Sequence, residues 1–227
     1  MKCLVSDYDQ TFKTSIKNLY LNIEGIRKFR RKGNKFIIAT GREFKSIKSE
    51  INKYEIEYDY LICNNGLIIF NNKDNIINCY PLSKDNIKKI YNSFKGVECN
   101  ISKYNFYEHT LSDENILEIK ASFDSNEIAK NHKNYIESNI NNIHCDIFNK
   151  NIYIGNYTSK ATAINEILKI ENISKEDIYT IGDDMNDLEM LEEFNGYKML
   201  NSNKNLWFKG IPTKTQVHRL IKKINKK

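Results

Sequence analysis

Two aspartates near the start of the chain are spaced so that both could act on one substrate. The apolar stretch Cys3-Leu4-Val5 leads into Asp7 and Asp9, and short apolar runs are typical of strands buried in a parallel sheet. Residues i and i+2 of an extended chain point the same way, so the two carboxyls can share a pocket. An ionised acid beside one that carries a proton suits nucleophilic and acid–base chemistry, although an aspartate-rich turn would explain the same residues.

A second acidic motif follows another apolar stretch late in the chain. Ile178-Tyr179-Thr180-Ile181 predicts a strand, and Gly182-Asp183-Asp184-Met185-Asn186-Asp187 comes directly after it. Ligands of open α/β sheets bind at the carboxyl ends of the strands, so both acidic motifs are placed where a site is expected. Acids packed this closely repel each other, and a bound cation would offset that repulsion.

The elements that would position these acids alternate between strands and helices. Lys35–Ala39 predicts a strand that ends at Thr40-Gly41-Arg42, and Tyr60–Cys63 predicts one that ends at Asn64-Asn65-Gly66. Apolar residues at helical spacing lie between the predicted strands, and Gly33 is the expected C-cap of the first helix. This alternation predicts an α/β fold with a Rossmann-like, doubly wound parallel sheet, whose right-handed crossovers bring the strand ends to one rim.

The pattern changes in the middle of the chain. Residues 81–154 predict two helices, over Ser83–Phe94 and Asp124–Ile140, among several short strands. Strands joined by short turns are typical of a small antiparallel α+β unit. We therefore expect an inserted second domain over residues 81–154 and a core formed by residues 1–80 and 155–227. In the core, Lys160 opens a predicted helix, and Ser174 with Asp177 resembles a capping box.

Composition limits the classes of function. The 227 residues carry a formal net charge of +6, with 40% hydrophobic and 28% charged residues, which is typical of a soluble globular protein. The tight basic cluster at Lys222, Lys223, Lys226 and Lys227 fits a solvated terminus as well as a binding patch, so we expect no nucleic-acid partner. The cysteines and histidines show no metal-ligand spacing, and no stretch could be a signal peptide or span a bilayer. We expect a cytoplasmic protein, monomeric or homodimeric, with no membrane partner.

The order of these motifs resembles that of the haloacid dehalogenase-like hydrolases, and within them the Cof-type phosphatases with an inserted α+β cap. The resemblance rests on Asp7-Tyr8-Asp9, on Thr40-Gly41-Arg42, on Lys160 and on the motif Gly182–Asp187, and it covers almost the whole chain. It implies a Mg²⁺-dependent phosphatase that hydrolyses a small phosphomonoester, such as a sugar phosphate or another phosphorylated metabolite, through an aspartyl-phosphate intermediate.

The resemblance also implies a role for each motif. Asp7 would attack phosphorus, and Asp9 would protonate the leaving group and then activate water. Thr40 would offer its hydroxyl and backbone N–H to the phosphoryl oxygens, and Lys160 would pair with Asp7 and add positive charge. The implied metal ligands are Asp7, the backbone carbonyl of Asp9, Asp183 and Asp187. The implied substrate contacts are Thr11, Gly41, Arg42, Asn65 and Asn186.

The sequence departs from the family pattern at some positions. Gln10 stands where the family usually has glycine, so the backbone after Asp9 is expected to shift. Ala161 replaces the glycine that usually follows the motif lysine. These departures leave every implied catalytic group in place.

Two other functions remain open at this stage. A phosphomutase of the same superfamily would share Asp7 and Asp9 but isomerise a sugar phosphate without net phosphate release. A non-catalytic regulator that binds a phosphorylated ligand would be expected to lack one of the four motif acids, and all four are present.

Overall fold

The structure, a computed structural model, describes residues 1–225, so Lys226 and Lys227 of the predicted basic cluster lie outside the described residues. The strands are β1 (Cys3–Ser6), β2 (Lys35–Ala39), β3 (Tyr60–Cys63), β4 (Ile68–Asn71), β5 (Ile76–Cys79), β6 (Asn100–Tyr104), β7 (His109–Thr110), β8 (Glu118–Ser122), β9 (Ile143–Phe148), β10 (Asn151–Asn156), β11 (Ile178–Gly182), β12 (Asn195–Met199) and β13 (Thr213–Lys214). The α-helices are α1 (Ile16–Arg30), α2 (Phe44–Tyr54), α3 (Lys84–Ser93), α4 (Asn126–Asn139), α5 (Lys160–Glu171), α6 (Leu188–Glu193) and α7 (Val217–Ile224).

Eight strands form the larger sheet, in the order β13-β12-β11-β1-β2-β3-β4-β5. The strands from β13 to β3 are parallel, and the antiparallel hairpin β4–β5 extends one edge. The neighbouring strands β1 and β11 carry the two acidic motifs at adjacent carboxyl ends, because Ser6 pairs with Ile181. The sheet therefore brings together motifs that lie far apart in the sequence.

Helices cover both faces of this sheet, as a doubly wound fold requires. On one face, apolar side chains of α1, α2 and α7 pack against Leu4, Phe36 and Leu61. On the other face, α5 and α6 pack against Val5 and Ile37. Alternating residues of β1 and β2 thus enter two separate cores, which explains why consecutive residues such as Cys3-Leu4-Val5 and 36–39 are apolar. The predicted α/β fold class is confirmed.

A second, antiparallel sheet of five strands has the order β7-β6-β8-β10-β9. Its apolar face, which includes Ile119, Ala121 and Ile152, packs on α3 and α4 to form a core of its own. The strands come from the segment in which the sequence predicts an inserted α+β unit. β10 continues to Asn156, two residues beyond the expected boundary at 154, and the division into domains stays a prediction.

Helix starts follow the sequence signals more closely than helix ends do. The Ser83 side chain accepts a hydrogen bond from the amide of Asn86, which confirms it as the N-cap of α3. The predicted C-cap Gly33 is wrong, because α1 ends at Arg30 with Arg31 as its C-cap, and Gly33 lies in the following turn at φ 80°. The predicted capping box at Ser174 and Asp177 is also wrong, because the Ser174 side chain makes no capping hydrogen bond. None of the helices within residues 1–225 combines the length and apolar character needed to cross a membrane.

Candidate active site

A cavity of about 780 Å³ lies where the carboxyl ends of the central strands of the large sheet face the small sheet. Its lining includes most of the residues that the sequence analysis selected: Asp7, Asp9, Thr40, Gly41, Arg42, Asn65, Asp183, Asn186 and Asp187. Thr11 and Lys160 are buried behind this surface. The fold therefore assembles the candidate residues at one place, with the small sheet as its roof.

A buried lysine links the two acidic motifs. The Nζ of Lys160 lies 2.7 Å from Oδ1 of Asp7 and 2.7 Å from Oδ1 of Asp187, and its side chain is fully buried. Burial would lower the pKa of Lys160, but the carboxylates of Asp187 and Asp7 raise it above its usual range. The ammonium is therefore held in its charged form between two carboxylates.

Asp7 occupies an environment that disfavours its negative charge unless a cation is near. Burial raises the pKa of the Asp7 carboxyl well above its usual range, and Asp187 and Asp183 raise it further, against the opposing effect of Lys160. Burial likewise raises the pKa of Asp183 to about 6, while a hydrogen bond from the hydroxyl of Thr11 lowers it. Thr11 is fully buried, so it positions Asp183 and does not make the substrate contact that the resemblance implies.

The second acidic motif is organised around Asp187. Its Oδ2 accepts hydrogen bonds from the amides of Asp183 and Asp184, at 2.9 and 3.1 Å, while Oδ1 accepts from Lys160. The capping box expected elsewhere forms here, between Asp184 and Asp187. Gly182 makes room for this carboxylate, because a Cβ there would lie 2.4 Å from Cγ of Asp187.

Three of the predicted metal ligands form one cluster. A carboxylate oxygen from each of Asp7, Asp183 and Asp187 lies within 4.8 Å of the others. Mg²⁺ favours carboxylate and water oxygens and is usually held by one or two carboxylates, so this donor set fits a hard divalent cation. Because both oxygens of Asp187 already accept hydrogen bonds, Asp7 and Asp183 are the carboxylates better placed for direct coordination.

Asp9 and Arg42 form a two-pronged ion pair at the edge of the cavity. The guanidinium nitrogens Nε and Nη2 of Arg42 each lie 2.7 Å from a different carboxylate oxygen of Asp9. The guanidinium also lies over the ring of Tyr8, 5.4 Å from its centroid. The side chain of Asp9 is half-exposed, so Arg42 fixes the direction of an otherwise mobile carboxylate.

The structure corrects part of the prediction for Thr40. Its backbone N–H donates to the carbonyl of Ile62 at 2.9 Å, so that N–H is not free for a phosphoryl oxygen. Its hydroxyl accepts from the amide of Arg42 at 3.1 Å, which leaves the hydroxyl proton free to donate. The amide of Gly41 donates to no acceptor within residues 1–225, which makes it the free backbone donor at this strand end.

Asn65 joins the core to the roof of the cavity. Its Nδ2 donates to Asp146 on β9 at 2.6 Å, and its Oδ1 accepts from Asn186 at 3.0 Å. Asn64, Asn65 and Gly66 adopt positive φ values of 47°, 54° and 108°. A Cβ at Gly66 would lie 2.3 Å from the carbonyl oxygen of Ser159, so glycine is required there by both conformation and space.

Gln10 adopts the backbone conformation that glycine would adopt most easily. Its φ is 57°, in the left-handed region, and its carbonyl accepts a hydrogen bond from Asn201 at 3.0 Å. The expected shift in backbone conformation is therefore not needed, because glutamine itself takes the left-handed turn after Asp9.

Sequence reasoning did not find the roof residues. Tyr104, Glu118, Asp146 and Tyr153 line the cavity from four different strands of the small sheet. A signal exists in Glu118-Ile119-Lys120-Ala121-Ser122, where polar and apolar residues alternate as they do in a strand with one polar face. That alternation predicts a strand with one polar face, but it does not show that this face covers the cavity. The roof residues could therefore not be assigned to the site from the sequence.

Sequence comparison supports the family suggested by the motifs. The sequence model of the haloacid dehalogenase-like hydrolases matches residues 4–154 and 105–207. An uncharacterized protein of Mycoplasma capricolum subsp. capricolum is 31% identical to this chain, with 85% of this chain and 88% of that protein aligned.

Structural comparison shows the same fold in distant relatives. A putative HAD/COF-like hydrolase from Plasmodium vivax matches all of this chain and 96% of its own, with a TM-score of 0.84 and 17% identity. A sugar phosphatase of HAD subclass IIB matches all of this chain and 98% of its own, with a TM-score of 0.79 and 16% identity.

Proposed function

Because the chain belongs to the haloacid dehalogenase-like hydrolases, we propose that it is a Mg²⁺-dependent phosphatase that acts on a small phosphomonoester through an aspartyl-phosphate. The observation that carries this proposal is the placement of Asp7. It lies at the end of β1, buried against the ammonium of Lys160 and within the carboxylate cluster that includes Asp183. The structural similarity to a sugar phosphatase supports a sugar phosphate or a similar phosphorylated metabolite as substrate.

In the first step, an oxygen of Asp7 forms a bond to phosphorus, and the bond between phosphorus and the leaving oxygen breaks. Lys160 keeps Asp7 oriented by its 2.7 Å contact, and its positive charge favours the ionised, nucleophilic form of the carboxyl. The leaving alkoxide takes a proton from Asp9. For this step Asp9 must carry a proton. Because both of its oxygens accept from Arg42 in the structure, one of these hydrogen bonds must be broken so that the protonated oxygen can face the leaving oxygen.

In the second step, Asp9 removes a proton from a water molecule, which attacks the phosphorus of the aspartyl-phosphate. The bond to Asp7 breaks, and inorganic phosphate and the free carboxylate of Asp7 are released. We assign the hydroxyl of Thr40 and the amide of Gly41 as hydrogen-bond donors to the phosphoryl oxygens during both steps, because both residues line the cavity and both groups lack an acceptor within residues 1–225.

We assign the metal site to Asp7, Asp183 and the backbone carbonyl of Asp9, with Asp187 acting through water. A bound Mg²⁺ would offset the repulsion among these acids and withdraw charge from the phosphoryl oxygens. Thr11 supports this site by donating to Asp183.

We also propose that residues 81–154 are a cap over the site. The polar face that this segment turns toward the cavity supports this assignment.

We propose in addition that the protein works in the cytoplasm. The five free cysteines, three of them buried, support a reducing compartment.

The test is release of inorganic phosphate from p-nitrophenyl phosphate and from a panel of small phosphomonoesters. It is run with Mg²⁺, with a chelator, and with Asp7→Asn, which preserves the shape but removes the nucleophile. We expect turnover that requires Mg²⁺ and falls at least about 10³-fold in the variant. Equal activity in Asp7→Asn and wild type would rule out the proposed nucleophile, and no release from any substrate would rule out the hydrolase.

A further inference from the structure

The roof of the cavity is one face of the small sheet. Register places Glu118 beside Tyr104 of β6 and Gly155 of β10, and it places Tyr153 beside Asp146 of β9. Neighbouring residues across antiparallel strands share a face, so these side chains form a common surface above the phosphoryl site. Because Asp7 and these residues line the same cavity, we expect the leaving group of a substrate bound at Asp7 to face this surface.

Glu118 is the unusual residue of the roof. It is 8% exposed, yet it lines the cavity. Its Oε2 accepts a weak hydrogen bond from Nδ2 of Asn64 at 3.3 Å, and its Oε1 accepts none from residues 1–225. Burial raises the pKa of Glu118 to about 8, and Asp146 adds to this rise. Glu118 therefore presents an open acceptor to the cavity, where a donor on a bound ligand could reach it.

Glu43 adds a second incomplete carboxyl to the same cavity. It precedes α2, and its Oε2 is buried without a hydrogen-bond partner among the described residues. Burial raises the pKa of Glu43, and Glu43 lies near enough to raise that of Glu118 as well. The nearby ammonium of Lys45 pairs with Glu108, so it does not satisfy Glu43.

The other carboxyls around the cavity have donors. Asp146 accepts from Asn65 and contacts His144, and although burial raises its pKa, the hydrogen bond from His144 lowers it overall. Lys120, which follows Glu118 on the same face of β8, lies with its ammonium over the ring of Tyr153, 5.5 Å from the centroid. Among the carboxyls that line the cavity outside the two acidic motifs, Glu118 and Glu43 are therefore the ones without an ion-pair partner within residues 1–225.

We propose that Glu118, assisted by Glu43, binds a protonated amine on the leaving group, so that the preferred substrates are amino-substituted phosphomonoesters such as amino sugar phosphates. This inference rests on the proposed phosphatase function. An ammonium supplies a donor to Oε1 of Glu118, and its positive charge favours the ionised form of Glu118 and offsets the charge of Glu43 nearby. The ring of Tyr104 offers a further surface that attracts a cation. A carboxylate or a second phosphate on the leaving group would be repelled.

The test compares substrates that differ at a single group. Glucosamine 6-phosphate is paired with glucose 6-phosphate, and glucosamine 1-phosphate with glucose 1-phosphate, so that only an ammonium and a hydroxyl differ. N-acetylglucosamine 6-phosphate removes the positive charge, and 6-phosphogluconate adds a negative one. We expect wild type to favour the amine in at least one pair by about 10- to 100-fold in kcat/KM, the range for a hydrogen bond to a charged group. The acetylated and carboxylate compounds should be poorer still.

Glu118→Gln should reduce the amine-to-hydroxyl ratio to near one, while Glu98→Gln should keep it. Glu98 is an exposed residue in the loop before β6, so its substitution makes the same chemical change away from the cavity. Cooperative thermal unfolding of each variant, well above the assay temperature, would show that all three proteins are folded. A wild-type ratio near one in both pairs, or a ratio that survives Glu118→Gln, would overturn the inference.

Calorimetric titration separates this inference from the proposed function. The same sugar phosphates are titrated into Asp7→Asn, which binds without turnover, and the amine is again expected to bind more tightly. A binding preference without phosphate release would overturn the hydrolase and keep the amine site. Phosphate release from p-nitrophenyl phosphate by wild type, without any amine preference in binding or turnover, would overturn the amine site alone.

Discussion

Lys160 shows how much one side chain contributes to both stability and chemistry. Its ammonium is the cation between two buried carboxylates, those of Asp7 and Asp187. Removing one partner from a buried ionic group leaves uncompensated charge in the interior, which is far more costly than losing an exposed ion pair.

We therefore expect Lys160→Met to lower the free energy of unfolding by about 3–5 kcal/mol and to abolish phosphate release. Lys169→Met is the matched control, because Lys169 lies on the same helix with its side chain mostly exposed and should change stability by less than about 0.5 kcal/mol. Urea denaturation of both variants without added metal measures the difference. If both variants unfold at the same urea concentration, the buried ion pairs do not stabilise the fold as described.

Gln10 is a residue in a conformation that suits it poorly. At φ 57°, a residue with a Cβ carries a strain of about 1–2 kcal/mol, whereas glycine carries none but loses more entropy on folding.

We expect the stability of Gln10→Gly to lie within about 1 kcal/mol of wild type or slightly above it. Gln10→Val should lower the stability by about 1–3 kcal/mol, because β-branched residues avoid the left-handed backbone region. Thermal unfolding of the two variants gives the comparison. A valine variant as stable as the glycine variant would contradict the left-handed turn at this position.

At the residue scale, the sequence predicted the types of the site residues better than their contacts. Asp7, Asp9 and Asp183 were selected because acids at strand ends are informative in themselves. The occupied N–H of Thr40 and the burial of Thr11 depend on neighbours from distant segments, Ile62 and Asp183. Such pairings follow from the packed structure and have no local signal.

At the scale of elements, the loop after β11 acts as one unit. Asp187 accepts three hydrogen bonds, two from backbone amides of the loop and one from Lys160. Asp187 lies so close to Gly182 that its carboxylate can take this position only because residue 182 has no side chain.

Gly182→Ala should displace Asp187, because the added Cβ would overlap its carboxyl group. We expect a loss of about 1–3 kcal/mol in stability, from hydrogen bonds to a buried charged group, and a fall in kcat of at least about tenfold. Phosphate release and denaturant unfolding measure the two effects. An alanine variant with wild-type values in both would show that the loop can relax without using this contact.

Most of the elements with strong apolar runs were predicted, whereas β12 and the hairpin β4–β5 were missed. The strands that carry motifs, such as β1, β2, β3 and β11, are mostly apolar and almost fully buried. The missed strand β12 contains Gly196 and Lys198, which obscure its pattern. The hairpin β4–β5 was missed although Ile68 and Ile69 are apolar, because no ligand motif follows it to mark a strand end.

At the scale of the whole molecule, the two sheets form the site jointly. The burial of Glu118 between them makes the stability of the protein depend on pH. Glu118 is buried between them with its pKa raised to about 8, chiefly by burial. The native state holds the carboxyl proton of Glu118 more tightly than the unfolded chain does. The stability that this proton contributes is therefore lost as the pH rises from about 4.5 toward 8.

Wild type should therefore lose stability relative to Glu118→Gln over this range, by up to about 1.4 kcal/mol per pH unit. Melting temperatures of the two proteins at several pH values between 5 and 8.5 measure the divergence. Curves that stay parallel would show that Glu118 titrates normally and is not enclosed as described.

The change in the sequence pattern near Pro81 predicted a separate group of short strands, and the second sheet lies there, but the roof of the site could not be predicted. Roof residues such as Glu118 and Asp146 come from strands whose order in the sheet is not sequential. Their meeting above Asp7 is a property of the assembled fold, since it depends on how one sheet packs over the other.

The most direct test of the account is whether Asp7 becomes phosphorylated. Wild type is mixed with Mg²⁺ and its best substrate, quenched in acid within milliseconds, and digested for peptide mass mapping. We predict a phosphoryl group on the peptide that contains Asp7, absent from Asp7→Asn and lost on longer incubation as phosphate appears. A phosphoryl group on another residue, or turnover with no phosphorylated peptide at any quench time, would contradict the mechanism.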